Sequence, residues 1–162
     1  MWDKINKQSE ELLKICKLNK MSVTTAESCT GGMLASSIVS INGSSSIFKS
    51  GIVTYSNESK AEFLKIPLKL ININGAVSET IAFQMAKNVL SIMNSSLSIA
   101  VTGIAGPSGG SNDKPVGLVW IAIGTKENVI TKKYLFQGNR LKIRQQTTLE
   151  ALKLANGIIN DY

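Results

Sequence analysis

A chain of 162 residues with 43% hydrophobic content has the length of one domain and can bury a full core. It contains no histidine and only two cysteines. That removes Ser-His-Asp and Cys-His catalysis, imidazole-bound zinc and a disulfide framework, and leaves acid–base work to Lys, Tyr, Asp, Glu or Cys. The net charge of +7 is scattered singly, without a basic stripe interleaved with aromatics, so a small anionic ligand fits better than nucleic acid.

No apolar run approaches the roughly 20 residues of a membrane span, and nothing after Met1 reads as a signal peptide. The protein is therefore expected to be cytoplasmic, with no membrane partner. Apolar residues at 5, 12, 13, 16 and 18 predict an amphipathic helix over 5–18, with Cys16 in the core. A β-branched strand over 22–25 follows, and then the turn Thr25-Ala26-Glu27-Ser28-Cys29-Thr30-Gly31-Gly32 opens a helix whose buried stripe is Leu34, Ile38 and Ile41. Such a turn holds Ser28, Cys29 and Thr30 at a helix start, where backbone N–H groups are free to meet a ligand. The plainer reading is that Thr30 caps the helix and the glycines allow close packing.

Asn42-Gly43-Ser44-Ser45-Ser46 breaks that helix. A strand is predicted over 48–55, then a short helix from Ser56 that carries Lys60, Phe63 and Leu64 and stops at Pro67. A loop around 72–75 leads to a helix capped by Ser78, with a stripe of Ile81, Ala82, Met85, Ala86, Val89 and Met93. A buried strand over 97–101 empties into the irregular stretch 102–117, which holds five of the thirteen glycines and two of the three prolines. Strands over 117–124 and 129–136 form a hairpin turned at 125–128, and a helix over 140–159 closes the chain. This order, α-β-α-β-α-α-β-β-β-α, predicts an α/β fold: one domain over 1–162, a sandwich with a mixed, mostly central β-sheet flanked by helices.

Three polar loops, 27–32, 43–46 and 102–117, are read as strand–helix junctions and expected to cluster at one sheet edge, where open α/β folds bind ligands. The longest, which contains Thr102, Gly103 and Gly106, lets backbone approach a ligand closely, although two successive turns alone would also require glycine and proline. Arg140 and Arg144 are the only arginines among eighteen basic residues. Four residues apart on a helix, they share a face, and the guanidinium fork suits phosphate. The serine run 44–46 with Tyr55 and Lys60 offers a histidine-free route to acyl chemistry, since a desolvated lysine loses its charge and can take a hydroxyl proton. Cys29, near a helix start, is a competing nucleophile without an obvious base.

These motifs together resemble the CinA C-terminal domain family. The resemblance is carried by Thr25–Gly32 (TAESCTGG), Gly43-Ser44-Ser45, Tyr55-Ser56-Asn57-Glu58-x-Lys60, Gly75-Ala76-Val77-Ser78, Thr102 to Pro107 with Gly109-Gly110, Lys114-Pro115-Val116-Gly117 and Gly138-x-Arg140-x-x-x-Arg144. They run in the family's order over 23–151. Active members of the family are nicotinamide-nucleotide amidohydrolases, and the chain resembles their stand-alone form. The resemblance implies metal-independent, cofactor-free hydrolysis of the carboxamide of nicotinamide mononucleotide, giving nicotinate mononucleotide and ammonia. It implies Ser45 as nucleophile with Lys60 and Tyr55 as activating groups. It also implies a substrate site drawn from Ser28, Cys29, Thr30, Gly31, Thr102, Gly103, Gly106, Arg140 and Arg144. The expected partner is that small molecule; assembly into a homo-oligomer is compatible with the sequence. Departures from the family pattern are Ser108, Leu118 and Asn139, none of them a proposed catalytic group. The alternative is a non-catalytic module that binds a pyridine nucleotide or a protein.

Overall fold

The computed structural model describes residues 1–160. β1 (Val23–Glu27) is an interior strand of its sheet, buried at all five positions. β1 lies parallel to both β2 (Phe48–Val53) and β3 (Leu97–Gly103). β4 (Leu118–Gly124) runs antiparallel to β3, and β5 (Val129–Leu135) antiparallel to β4, which gives the order β2-β1-β3-β4-β5. The expected mixed sheet and the hairpin at 125–128 are both present, the latter closed by Thr125 N–H donating to Asn128 O at 2.8 Å.

Strand alternation distributes the side chains between two cores. On one face Val23, Leu97, Ile99, Val101, Val119, Ile121 and Ile123 pack with buried residues of α1 (Trp2–Leu18), α2 (Met33–Val39) and α6 (Arg140–Asn160). On the other, Ala26, Ala100 and Ala122 lie side by side in register. This row of small residues lets α5 (Glu79–Ile92) sit close to the sheet through Ala82, Met85 and Ala86. α3 (Asn57–Leu64) and α4 (Leu68–Asn74) extend that layer through Leu64 and Ile71. Helices therefore cover both faces, as the apolar central strands require.

Two details differ from expectation. Residues 72–74, expected in a loop, end α4, which starts right after Pro67: proline stands at the N-cap, where its fixed φ (here −57°) starts a helix as readily as it stops one. β1 also runs on to Glu27, so the turn begins later than predicted.

Candidate active site

Parallel pairing of β1 and β3 brings the turn after Glu27 and the loop after Gly103 to the same sheet edge. A cavity of about 240 Å³ opens there, between Ser28 and Cys29 on one side and Thr102 to Gly106 on the other. Tyr55, Lys60, Ala76, Val77 and Arg140 complete much of its wall. Ser28 follows Glu27 on the alternate face, which sends it towards α3 while Glu27 turns towards α2.

Lys60 is 1% exposed although it is a lysine. Its Nζ donates to Thr54 O at 2.8 Å and to Ser28 Oγ at 3.2 Å, and among the described residues no carboxylate is hydrogen-bonded to it. Burial lowers its pKa from 10.5 to about 8, with Cys29 pulling weakly the other way. The site thus contains a hydroxyl and a lysine that sheds its proton easily, within hydrogen-bond distance and open to the cavity. The two neighbours of β1 anchor both groups: Ser28 N–H donates to Val101 O of β3, and Thr54 N–H, just past β2, donates to Glu27 O.

Cys29 is also buried at the cavity. Burial raises its pKa to about 12, and Glu27 adds to that, outweighing its backbone hydrogen bond and the opposing pull of Lys60 and Arg144. At neutral pH it is a thiol rather than a thiolate, which removes most of its nucleophilicity.

Ser45 is not brought to this site. Ser44–Ser46 forms a 3₁₀ turn that leads into β2, and Ser45 is exposed on it. Val23 pairs with Phe48, so the serines lie at the start of β1, beside Lys17 and Met21, whereas Ser28 follows its end. Five residues of strand separate the two edges, roughly 17 Å at about 3.3 Å per residue. The 43–46 loop joins a helix to a strand rather than a strand to a helix, and in a parallel pair that places it at the opposite edge. Loops 27–32 and 102–117 do meet, as expected.

Tyr55 is 60% exposed at the cavity mouth, and its hydroxyl accepts from Arg140 Nη2 at 2.7 Å rather than contacting Lys60. Arg140 Nη1 donates to Gly106 O at 2.8 Å, tying the glycine loop to Tyr55. Gly106 holds φ +73°, and a Cβ there would stand 2.5 Å from Val116 Cγ1, so the loop needs glycine at this point. Thr102 Oγ1 donates to Ala76 O at 2.8 Å, fixing the cavity wall ahead of α5, and Gly103 continues that wall.

Arg144 is placed apart from Arg140. Its Nε and Nη2 donate to Thr30 O at 3.2 and 2.6 Å, and it does not line the cavity. Thr30 donates through Oγ1 to Glu27 Oε2 at 2.6 Å, and Gly31 bends the turn at φ +58°. Neither Thr30 nor Gly31 lines the cavity. A second cavity, about 420 Å³, opens at the opposite edge between α5 and the 125–128 turn, where its lysines, Lys87 and Lys126, stand exposed.

The residue that motif reading passes over is Glu27. It is fully buried, and it receives four hydrogen bonds from the turn and from the first residues of α2. One signal points to it: α2 has Gly32 at its N-cap and no acid in its first turn, so its donors need a carboxylate from elsewhere.

Among the described residues no three His, Cys, Asp or Glu side chains gather to hold a metal, and no helix is long and apolar enough to cross a membrane. The chain is similar to known proteins along nearly all its length. It is 46% identical over 143 residues to a CinA-like protein of Colwellia psychrerythraea, covering 88% of this chain and 33% of that protein. It is 47% identical over 142 residues to a CinA-like protein of Fervidobacterium nodosum, covering 87% and 35%. The chain therefore spans about a third of the length of the curated relatives it matches. A crystal structure of the competence/damage inducible protein CihA from Agrobacterium tumefaciens superposes with a TM-score of 0.94 at 36% identity, over 97% of this chain and 96% of that one. A CinA superfamily protein from Klebsiella pneumoniae superposes equally well, at 0.94 and 26% identity, over 98% and 99%. Together with the match of residues 5–159 to the CinA C-terminal domain model, these likenesses show that the chain belongs to the CinA C-terminal domain family.

Proposed function

We propose that the chain is a serine amidohydrolase in which Ser28 attacks the carboxamide of nicotinamide mononucleotide and Lys60 is the general base. The observation that carries this reading is the buried Lys60 Nζ at 3.2 Å from Ser28 Oγ, open to a cavity of mononucleotide scale. The choice of substrate rests on the family resemblance and on the exposed guanidinium at the cavity mouth.

Neutral Lys60 takes the Ser28 proton as Oγ bonds to the carboxamide carbon, and the carbonyl oxygen becomes an oxyanion. The Cys29 and Thr30 peptide N–H groups are the donors the turn offers it, since those of Ser28, Gly31 and Gly32 are already committed to Val101 O, Ser28 O and Glu27 Oε2. Lys60 then returns its proton to the leaving nitrogen, and ammonia departs. Water, deprotonated by the same lysine, adds to the ester carbon, and Lys60 hands that proton to the departing Ser28 Oγ as nicotinate mononucleotide is released. No metal or cofactor enters the scheme. Arg140, with the glycine loop it holds, faces the phosphate from the mouth.

Ammonia release by purified protein tests the reading directly. Ser28→Ala and Lys60→Met should each remove nearly all turnover, and the double change should cost little more, because a nucleophile and its base act as one unit. Ser45→Ala and Cys29→Ala should keep most of the rate. Arg140→Ala should raise KM for the mononucleotide at least about tenfold more than for its dephosphorylated riboside, since a charge-assisted contact contributes roughly 1.5–3 kcal/mol. Tight mononucleotide binding without ammonia would make the chain a binding module instead.

A further inference from the structure

The geometry points to Glu27 and Arg144 as positioning residues that hold the nucleophile turn in register with Lys60, a role that rests on the Ser28 reading above. The turn 28–32 is gripped from two sides by side chains that do not line the cavity. From within the sheet, Glu27 Oε2 accepts from Thr30 Oγ1 at 2.6 Å, Gly32 N–H at 2.9 Å and Leu34 N–H at 3.1 Å, and Oε1 accepts from Ala35 N–H at 2.8 Å. The same carboxylate therefore caps α2 and anchors the middle of the turn, replacing the local N-cap that Gly32 cannot supply. From α6, Arg144 reaches the same residue from outside, donating twice to Thr30 O.

Thr30 is thus fixed through its side chain by Glu27 and through its carbonyl by Arg144, two residues beyond Ser28. Both bonds involve groups able to carry charge, which makes them stiffer than an ordinary turn hydrogen bond. The turn also carries the N–H groups available to the oxyanion, so the grip sets nucleophile and oxyanion donors together. Catalytic alignment tolerates little error: a displacement of about 1 Å costs on the order of 100-fold in rate. The geometry assigns Arg144 a role distinct from that of Arg140, although the two stand four residues apart on one helix face.

The test uses a fluorophosphonate, which labels an activated serine when Oγ displaces fluoride from phosphorus, and which needs no knowledge of the natural substrate. Labelling of the wild-type protein at Ser28, located by peptide mass spectrometry, is the reference. Arg144→Ala should fold with a melting temperature close to wild type yet label at least tenfold more slowly, and Arg144→Lys, with one donor group instead of a fork, should recover part of the rate. Glu27→Gln, which turns two amide hydrogens towards peptide N–H groups, should label more slowly still at a temperature where circular dichroism shows it folded. Hydrolysis by Arg144→Ala should lose kcat by one factor on mononucleotide and riboside alike, with KM unchanged. Wild-type labelling rates in a folded Arg144→Ala protein overturn the inference, and so does a rise in KM confined to the phosphorylated substrate, which would make Arg144 a phosphate clamp. Labelling at Ser28 with no amide turnover overturns the substrate reading alone, and the labelling rates of the variants still decide the positioning.

Discussion

Among the described residues Lys60 is the bulkiest fully buried side chain, and taking its ammonium out of water costs stability. Its pKa is about 8 in the folded protein and 10.5 in an unfolded chain. Below pH 8 both states are charged, and the folded state bears the full cost of a desolvated ammonium. Between 8 and 10.5 the folded protein has released a proton that the unfolded chain keeps, so stability climbs with pH across that window. Lys60→Met should therefore abolish hydrolysis and yet raise the melting temperature at pH 7, with the gain shrinking as pH approaches 10. Thermal melts of both proteins across that range check this, and a Met variant less stable than wild type at pH 7 counts against it. Wild-type activity should rise with pH and reach half its plateau near 8, since the neutral amine is the working form. Lys60 and Tyr55 are both legible as motif residues. The partner of Lys60 is not, because its contact with Ser28 spans 32 positions and depends on where α3 lands beside β1.

At the scale of elements, strand direction decides what local pattern leaves open. The serine run 44–46 stands out in sequence, but its edge of the sheet is set by β2 running parallel to β1, which residue spacing does not reveal. The glycine loop is legible because glycines so concentrated mark backbone that must turn tightly or lie close to a neighbour, and β3 and β4 show what one of them does. At Gly103 an added Cβ would lie 2.6 Å from Val119 Cγ2 and 2.8 Å from Leu118 O, inside the pairing of the two strands. Gly103→Ala should cost roughly 1–3 kcal/mol as β4 is pushed away. Urea unfolding should show a lower midpoint with an unchanged slope. The short helix α4 is hidden in the sequence because a proline after a helix signals a stop, while the buried Ile71 that justifies the new helix is a single residue with no stripe around it.

Across the whole molecule, the sheet is unevenly braced. β1, β3 and β4 each have two neighbours, whereas β2, like β5 at the other edge, is held on one side only. Thr54, whose carbonyl accepts from Lys60, continues from the end of β2 and bonds back to Glu27 O. The charged-to-neutral lysine at the heart of the site thus hangs from an edge strand of the sheet. Local opening of that edge costs less free energy than global unfolding, and it would release the base and expose it to water in one event. Amide hydrogens of Phe48–Val53 should accordingly exchange faster than those of Val23–Glu27 and Leu97–Gly103. Catalysis should fade several degrees below the melting transition, and a ligand that fills the cavity should slow exchange along β2 more than anywhere else in the sheet. Equal protection of all three strands would mean that the edge is sealed. If the edge does open, the working lifetime of this protein in heat is set by a fluctuation of six residues and not by the stability of its core.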